Sequence, residues 1–270
     1  MNINAEGMHF EVLNKKIREA SDNTIIISNC LGQRYIGSGL GGKDITINGT
    51  VGNALGAYLD GSTIRIIGNA QDATGDTMND GTIYIHGSSG DACGYAMRGG
   101  KIFIRDNAGY RAGIHMKQYK EKKPVLVIGG SAGSFLGEYL AGGVIIVLGI
   151  GSEGMPVTGN FCGTGMHGGK IYLRCDKPPE DLPKQVIVSE ATESDLDEIK
   201  SYIKEFCSEF DRNCDIINEK RLSNPDFNSA ACGNAQLYHE KLCFHDIMNK
   251  KFYCLIPDTK NPYKQLYTYN

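Results

Sequence analysis

From residue 42 to residue 173 the apolar positions fall into columns that return about every nineteen residues, as a stacked repeat requires. One column holds Ile45, Ile64, Ile83, Ile102, Leu126, Ile145 and Ile171. Two residues further on stand Ile47, Ile66, Ile85, Ile104, Ile128, Val147 and Leu173. A spacing of two puts both apolar residues of each short strand on one face. A third column, Leu59, Met78, Met97, Met116, Leu140 and Met166, follows glycines at 56, 75, 94, 113, 137 and 163. No single unit could bury such a face alone, so the units must stack. This pattern predicts an all-β solenoid, a parallel β-helix of about seven coils, with Ile83, Ile85 and Met97 wholly buried.

The flanks change period. Phe10, Leu13, Ile17 and Ala20 have helical spacing, "SDN" at 21–23 ends that helix, and "TIIISN" reads as a first strand. Leu196, Ile199, Ile203, Phe206 and Phe210 mark a second helix, which Thr192 or Ser194 can cap. The expected organisation is an N-terminal helix and capping strand (1–41), the β-helix (42–176), and a linker, C-terminal helix and extended irregular tail (177–270). The two helices are expected to close the ends of the stack, where backbone groups would otherwise lie unpaired. Two stretches break the spacing, "KQYKEKKP" from residue 117 and "IGSEGMPVT" from residue 150. The first is expected to be a solvated loop thrown out from the side.

All but three of the 35 glycines lie between residues 37 and 169, where corners need positive φ or close backbone approach. The ordered apolar columns argue against a flexible glycine linker, and a three-residue collagen period is absent. "GSGLGG" at 37–42 could suggest a phosphate loop, but the next residues read as a strand, not a helix N-terminus, so a corner turn is expected. A net charge of −3 gives no indication of nucleic-acid or membrane partners. No apolar run is long enough to span a bilayer, and the first sixteen residues lack a signal-peptide core. Nine cysteines without small-scaffold spacing fit a reduced, cytoplasmic protein. Cys93 and Cys162 fall at equivalent places in their units and read as small buried apolar residues.

No catalytic residue is assigned from this pattern. The residues following the Leu/Met column form an outward polar strip, and with neighbouring cations they give a partner-docking surface of Arg98, Arg111, His115, Lys117 and His167. A regular strip offers a surface more readily than the converging groups that an enzyme needs. Cys232, His239, Cys243 and His245 are the candidate metal ligands. No tight Cys-x-x-Cys pair accompanies them, so no metal is expected. An independent enzyme using a surface His/Cys site is the competing reading.

"GQRYIGSGLGG", "GNAQDATGDTMNDG", "GDACGYAMRGGKIFIR", "GYRAGIHMK", "FLGEYLAGG" and "GTGMHGGKIYLR" together resemble the C-terminal domain of glutamate synthase large subunits. The resemblance covers about residues 8–176, and the glycine repeats are more loosely similar to the gamma subunit of formylmethanofuran dehydrogenase. It implies a right-handed parallel β-helix that plays an architectural part. In the fused enzyme other units carry the chemistry: an amidotransferase with an N-terminal cysteine, and an FMN-binding barrel with an iron–sulfur cluster. Those units make glutamate from glutamine and 2-oxoglutarate. This chain opens on Met1-Asn2 and lacks a barrel, so no cofactor is expected on it, and FMN and the cluster are expected on its partners. It is therefore expected to be a non-catalytic oxidoreductase subunit of nitrogen metabolism, joined to amidotransferase and FMN-binding subunits, with a homo-oligomer also compatible. The alternative is an oxidoreductase component resembling the gamma subunit of formylmethanofuran dehydrogenase.

Overall fold

The structure, a computed structural model, describes residues 1–212 and 244–258. In chain order the elements are β1 (Asn2–Asn4), α1 (Phe10–Glu19), β2 (Thr24–Leu31), β3 (Asp44–Thr50), β4 (Asp60–Ile67), β5 (Asp80–Ile85) and β6 (Lys101–Ile104). They continue with β7 (Val125–Ile128), β8 (Ala141–Val147), β9 (Gly168–Arg174), β10 (Val186–Glu190), α2 (Glu193–Arg212), α3 (Phe244–Met248) and β11 (Phe252–Pro257). Among the described residues all strands join one 11-stranded sheet in the order β1-β2-β3-β4-β5-β6-β7-β8-β9-β11-β10.

This corrects the expected fold class. The chain does not build an all-β solenoid, a closed right-handed parallel β-helix of about seven coils. It builds a single open sheet that ends in two edges, β1 and β10. That sheet is mixed, because β11 enters between β9 and β10 and runs antiparallel to both. The segments that return from one strand to the next are strings of tight turns, not further strands. Backbone hydrogen bonds link successive returns, but they form only isolated β-bridges, at Val51, Ala70, Ser89, Ala108, Ala132 and Thr158, and no continuous strand ladder. The reason lies in the backbone. In each return every second residue has positive φ, for example Ala73 at 57°, Gly75 at 72° and Thr77 at 51°, and such residues cannot lie in an extended ladder.

The columns themselves form as the alternation predicts. Ile45 pairs with Ile64, Ile64 with Ile83, Ile83 with Ile102, and so on in parallel register to Ile171. Ile83, Ile85 and Met97 have no exposed surface. One sheet face packs these residues against the returns. The opposite face carries Tyr84, Phe103, Val127, Ile146 and Tyr172 and is covered by Ile199, Ile203, Phe206 and Phe210 of α2. Burial on both faces suits the nearly unbroken apolar runs of β7 and β8. Each fully buried Ile or Leu stabilises the fold by about 1.5–3 kcal/mol.

The glycine columns follow from the same geometry. Gly56 has φ +64°, and a Cβ placed there would stand 2.7 Å from Cδ1 of Ile83 in β5, the second strand after it. Both the backbone sign and the lack of a side chain are required at that point.

The helices adopt their predicted spans but not both predicted positions. In α1, Leu13 and Ile17 are buried in the main core. Asn14 Nδ2 donates to the Arg34 carbonyl at 3.0 Å and Arg18 donates to that of Ser38 at 3.3 Å, so α1 covers the first return. Thr192 caps α2: its Oγ1 accepts from Asp195 N, and Asp195 Oδ2 accepts from Thr192 N at 3.0 Å. Helix α2 does not close the end of the stack as expected. It lies across the outer sheet face, because its apolar stripe finds the aromatic and β-branched residues there. The lysine-rich stretch is exposed from Lys117 to Lys122, as expected of a solvated loop, and Lys122 Nζ, 3.3 Å from Asp60 and 3.2 Å from Asp80, ties it along two earlier units. No helix among the described residues is long and apolar enough to cross a membrane.

Candidate functional site

The returns hold their side chains in ranks fixed by backbone hydrogen bonds. Arg98 N–H donates to the Met78 carbonyl at 2.8 Å and Lys117 N–H to that of Met97 at 3.0 Å. Ala141 then bonds to Met116 and His167 to Leu140, each at 2.8 Å. Arg98, Lys117, Ala141 and His167 thus occupy one column, one residue per unit, and the three polar members are exposed. Arg111 and His115 belong to the same return as Lys117. Both have positive φ, at 56° and 57°, which turns them outward while Ala112 and Gly113 stay buried. The structure therefore places all five expected docking residues on the exposed side of the returns.

It also adds residues that the column pattern does not single out. The His115 ring stacks on Tyr139 with centroids 5.1 Å apart, and Tyr95 meets it edge-on at 5.9 Å. The Arg111 guanidinium lies 5.0 Å from the Phe135 ring, which stacks on Phe161 at 5.0 Å. Arg111 Nε also donates to Glu138 at 3.0 Å. Tyr95, Tyr139 and Phe161 are 36–50% exposed. The strip is thus aromatic and cationic together, a combination enriched at the energetic centres of protein interfaces. A signal for these rings exists in the same columns: Phe135 and Phe161 align with Arg111, and Tyr139 aligns with His115.

A second polar system lies under α2 and serves packing. Glu205 accepts from Tyr84 Oη at 2.8 Å and Lys101 Nζ at 2.6 Å. Glu209 accepts from Arg65 Nε at 3.1 Å, with His86 Nε2 3.5 Å away. Asp195 and Glu198 both receive Lys170 and Tyr172, and Lys123 also reaches Glu198. Burial would raise Glu198, but hydrogen bonds from Lys123, Lys170 and Tyr172 hold it down at about 2. Burial pushes His86 down, and Glu209 offsets part of that. Carboxylates paired in this way tie α2 to the sheet face beneath it.

Of the candidate metal ligands, Cys232, His239 and Cys243 lie outside the described residues, and His245 is an exposed residue of α3. Among the described residues no three His, Cys, Asp or Glu side chains gather closely enough to hold an ion. Burial pushes the thiols of Cys93 and Cys162 up to about 12, so they remain protonated and unreactive.

The described residues thus form an open repeat sheet with glycine-built returns and a regular aromatic–cationic flank. The chain belongs to the GXGXG motif family, whose model matches residues 8–229. It is 44% identical over 276 residues to an uncharacterized protein of Methanocaldococcus jannaschii, across 98% of this chain and 95% of that one. Among solved structures it is similar to a chain of the formyltransferase/hydrolase complex (FhcABCD) of Methylorubrum extorquens, determined with methylofuran. That likeness has a TM-score of 0.55 and 22% identity, and covers 69% of this chain and 68% of the other.

Proposed function

We propose that this chain is a non-catalytic, architectural subunit of an oxidoreductase-type complex, and that the strip on its returns docks a partner subunit. The carrying observation is the strip itself. Arg98, Lys117 and His167 repeat along a hydrogen-bonded ladder, beside stacked Tyr95–His115–Tyr139 and Arg111–Phe135–Phe161. Adjacent units of a sheet stand about 4.8 Å apart, so a rigid strip suits a broad protein surface better than a small substrate, which needs concave enclosure. Family membership supports partners of the glutamate synthase kind, an amidotransferase and an FMN-binding unit with an iron–sulfur cluster, with the cofactors carried by those partners. The structural likeness to a chain of a formyltransferase/hydrolase complex supports a second reading, a component like the gamma subunit of formylmethanofuran dehydrogenase.

The test is to isolate the tagged chain with its complex, identify the partners, and compare wild type with Arg98→Glu/Lys117→Glu. Exposed charges contribute little to stability, so the variant should fold normally. Association with the partner should slow by about tenfold at low salt and lose most of its salt dependence. Unchanged association at low and moderate salt would reduce the strip to a solvated face. Partners of amidotransferase and flavin-barrel type would select the first reading, and formyl-transfer components the second.

A further inference from the structure

The second interruption of the repeat, residues 150–158, lies beside the end of β9. With its flanking residues, residues 174–181 and Lys250–Lys251 it lines an open cavity of about 680 Å³. Small-molecule sites occupy about 300–1,000 Å³. The cavity lies at the β9–β11 end of the sheet and shares no residue with the docking strip.

Burial sorts the charges that line it. The Arg174 side chain is only 11% exposed, and its nearest carboxylate is that of Glu153, 3.9 Å away on a side chain 74% exposed. Arg174 Nε donates to the Leu148 carbonyl, which holds the guanidinium plane but supplies no negative charge. Asp176, Glu180 and Asp181 stand at the exposed rim, and Asp181 already accepts from Phe161 N at 3.2 Å. Lys177 and Lys250 are exposed at the same rim. The interior therefore presents a cation, and most of the matching anions stay in water. A guanidinium stays charged when buried, so it requires an anion or a set of acceptors.

Thr158 also lines the cavity, but its hydroxyl oxygen is itself covered and does not face the opening, so the charge that a ligand would meet there is that of Arg174. Val157 and the Pro178–Pro179 pair supply apolar wall beside these polar groups.

We infer that this cavity binds a small organic anion, a carboxylate or phosphate monoester on an apolar body. Its oxygens would meet the Arg174 fork, with Lys177 at the mouth. The planar fork of an arginine matches both kinds of oxyanion. The inference does not depend on the docking role, and loss of either would leave the other standing.

Calorimetric titration of the full chain with benzoate and with phenyl phosphate tests it, with benzyl alcohol as the uncharged probe. At least one anion should bind with a dissociation constant below about 1 mM, and benzyl alcohol should not. The anion that binds decides between carboxylate and phosphate. Arg174→Gln should weaken binding by about tenfold or more, and Lys177→Ala and Lys250→Ala by smaller factors. Should Arg174→Gln fail to fold, Lys177→Ala and Lys250→Ala carry the test. Absence of binding by either anion to wild type would overturn the proposal. So would binding unchanged in every folded variant.

Discussion

At position 56 a glycine faces an isoleucine, and neither can change alone. Alanine at Gly56 would have to hold a φ of +64° and place its Cβ 2.7 Å from Cδ1 of Ile83. The backbone cost is about 1–2 kcal/mol and the overlap adds about 1–3 kcal/mol. Gly56→Ala should therefore lower stability by several kcal/mol. Ile83→Val removes the offending methyl and by itself costs about 0.5–1.5 kcal/mol. Combined, the two changes should cost less than the sum of the singles, measured as a double-mutant cycle in urea. Strict additivity would mean that the two side chains do not meet.

At the scale of elements, α2 is held by carboxylates as well as by its apolar stripe. Glu198 sits at about 2 in the folded protein, below the ordinary value of about 4.3. A depressed carboxylate contributes stability that is present above its unfolded value and lost as pH falls through its folded one. The window thus runs from about pH 4.5 down to about pH 2. Glu198→Gln should melt earlier than wild type at pH 7, by an amount of order 2 kcal/mol once solvent screening is discounted, and the difference should vanish near pH 2. Thermal melts at pH 7, 4 and 2 read this directly, and parallel curves would exclude the Lys123–Glu198–Lys170 contact as the cause.

The same helix shows what a sequence can and cannot convey. Its stripe of Ile199, Ile203, Phe206 and Phe210 is visible at helical spacing, and so is its Thr192 cap. Its seat is not visible, because Tyr84 and Lys101 lie more than a hundred residues from Glu205. The isoleucine columns are legible because alternation has a period of two. Turn-built returns are not, since Ala73, Thr77 and His115 give no compositional hint of positive φ. That is why the columns alone point to a closed helix of strands where the chain builds an open sheet. The charged members of the strip can be found from their column, whereas the ring pairs appear only once neighbouring units are stacked. The cavity draws on three separate segments and leaves no local trace.

For the whole molecule, the offset between neighbouring strands sets what can be removed. Thr63 pairs with Thr82, and Thr82 with Lys101, so excision of residues 82–100 brings Lys101 directly into register with Thr63. That variant should still fold and melt in one transition, at a lower temperature. It loses Tyr84 and His86, so amide exchange should rise in α2 from Glu205 onward while the Asp195–Glu198 half stays protected. Excising residues 82–91 instead shifts the columns by half a unit and should abolish folding, as circular dichroism would show.

Helix α2 touches β9 at Asp195 and β4 at Glu209, a rise of about 21 Å against about 24 Å for the five strand spacings between them. It is a crossbar bolted over strands whose hydrogen bonds otherwise link only neighbours. Without it, a stacked array would fray from its free end, one unit after another, with a small barrier at each step. With it, no strand between β4 and β9 can leave until the bar lifts. The barrier to unfolding is then concentrated in one event, and the lifetime of the folded protein depends on that release more than on the strength of any single unit.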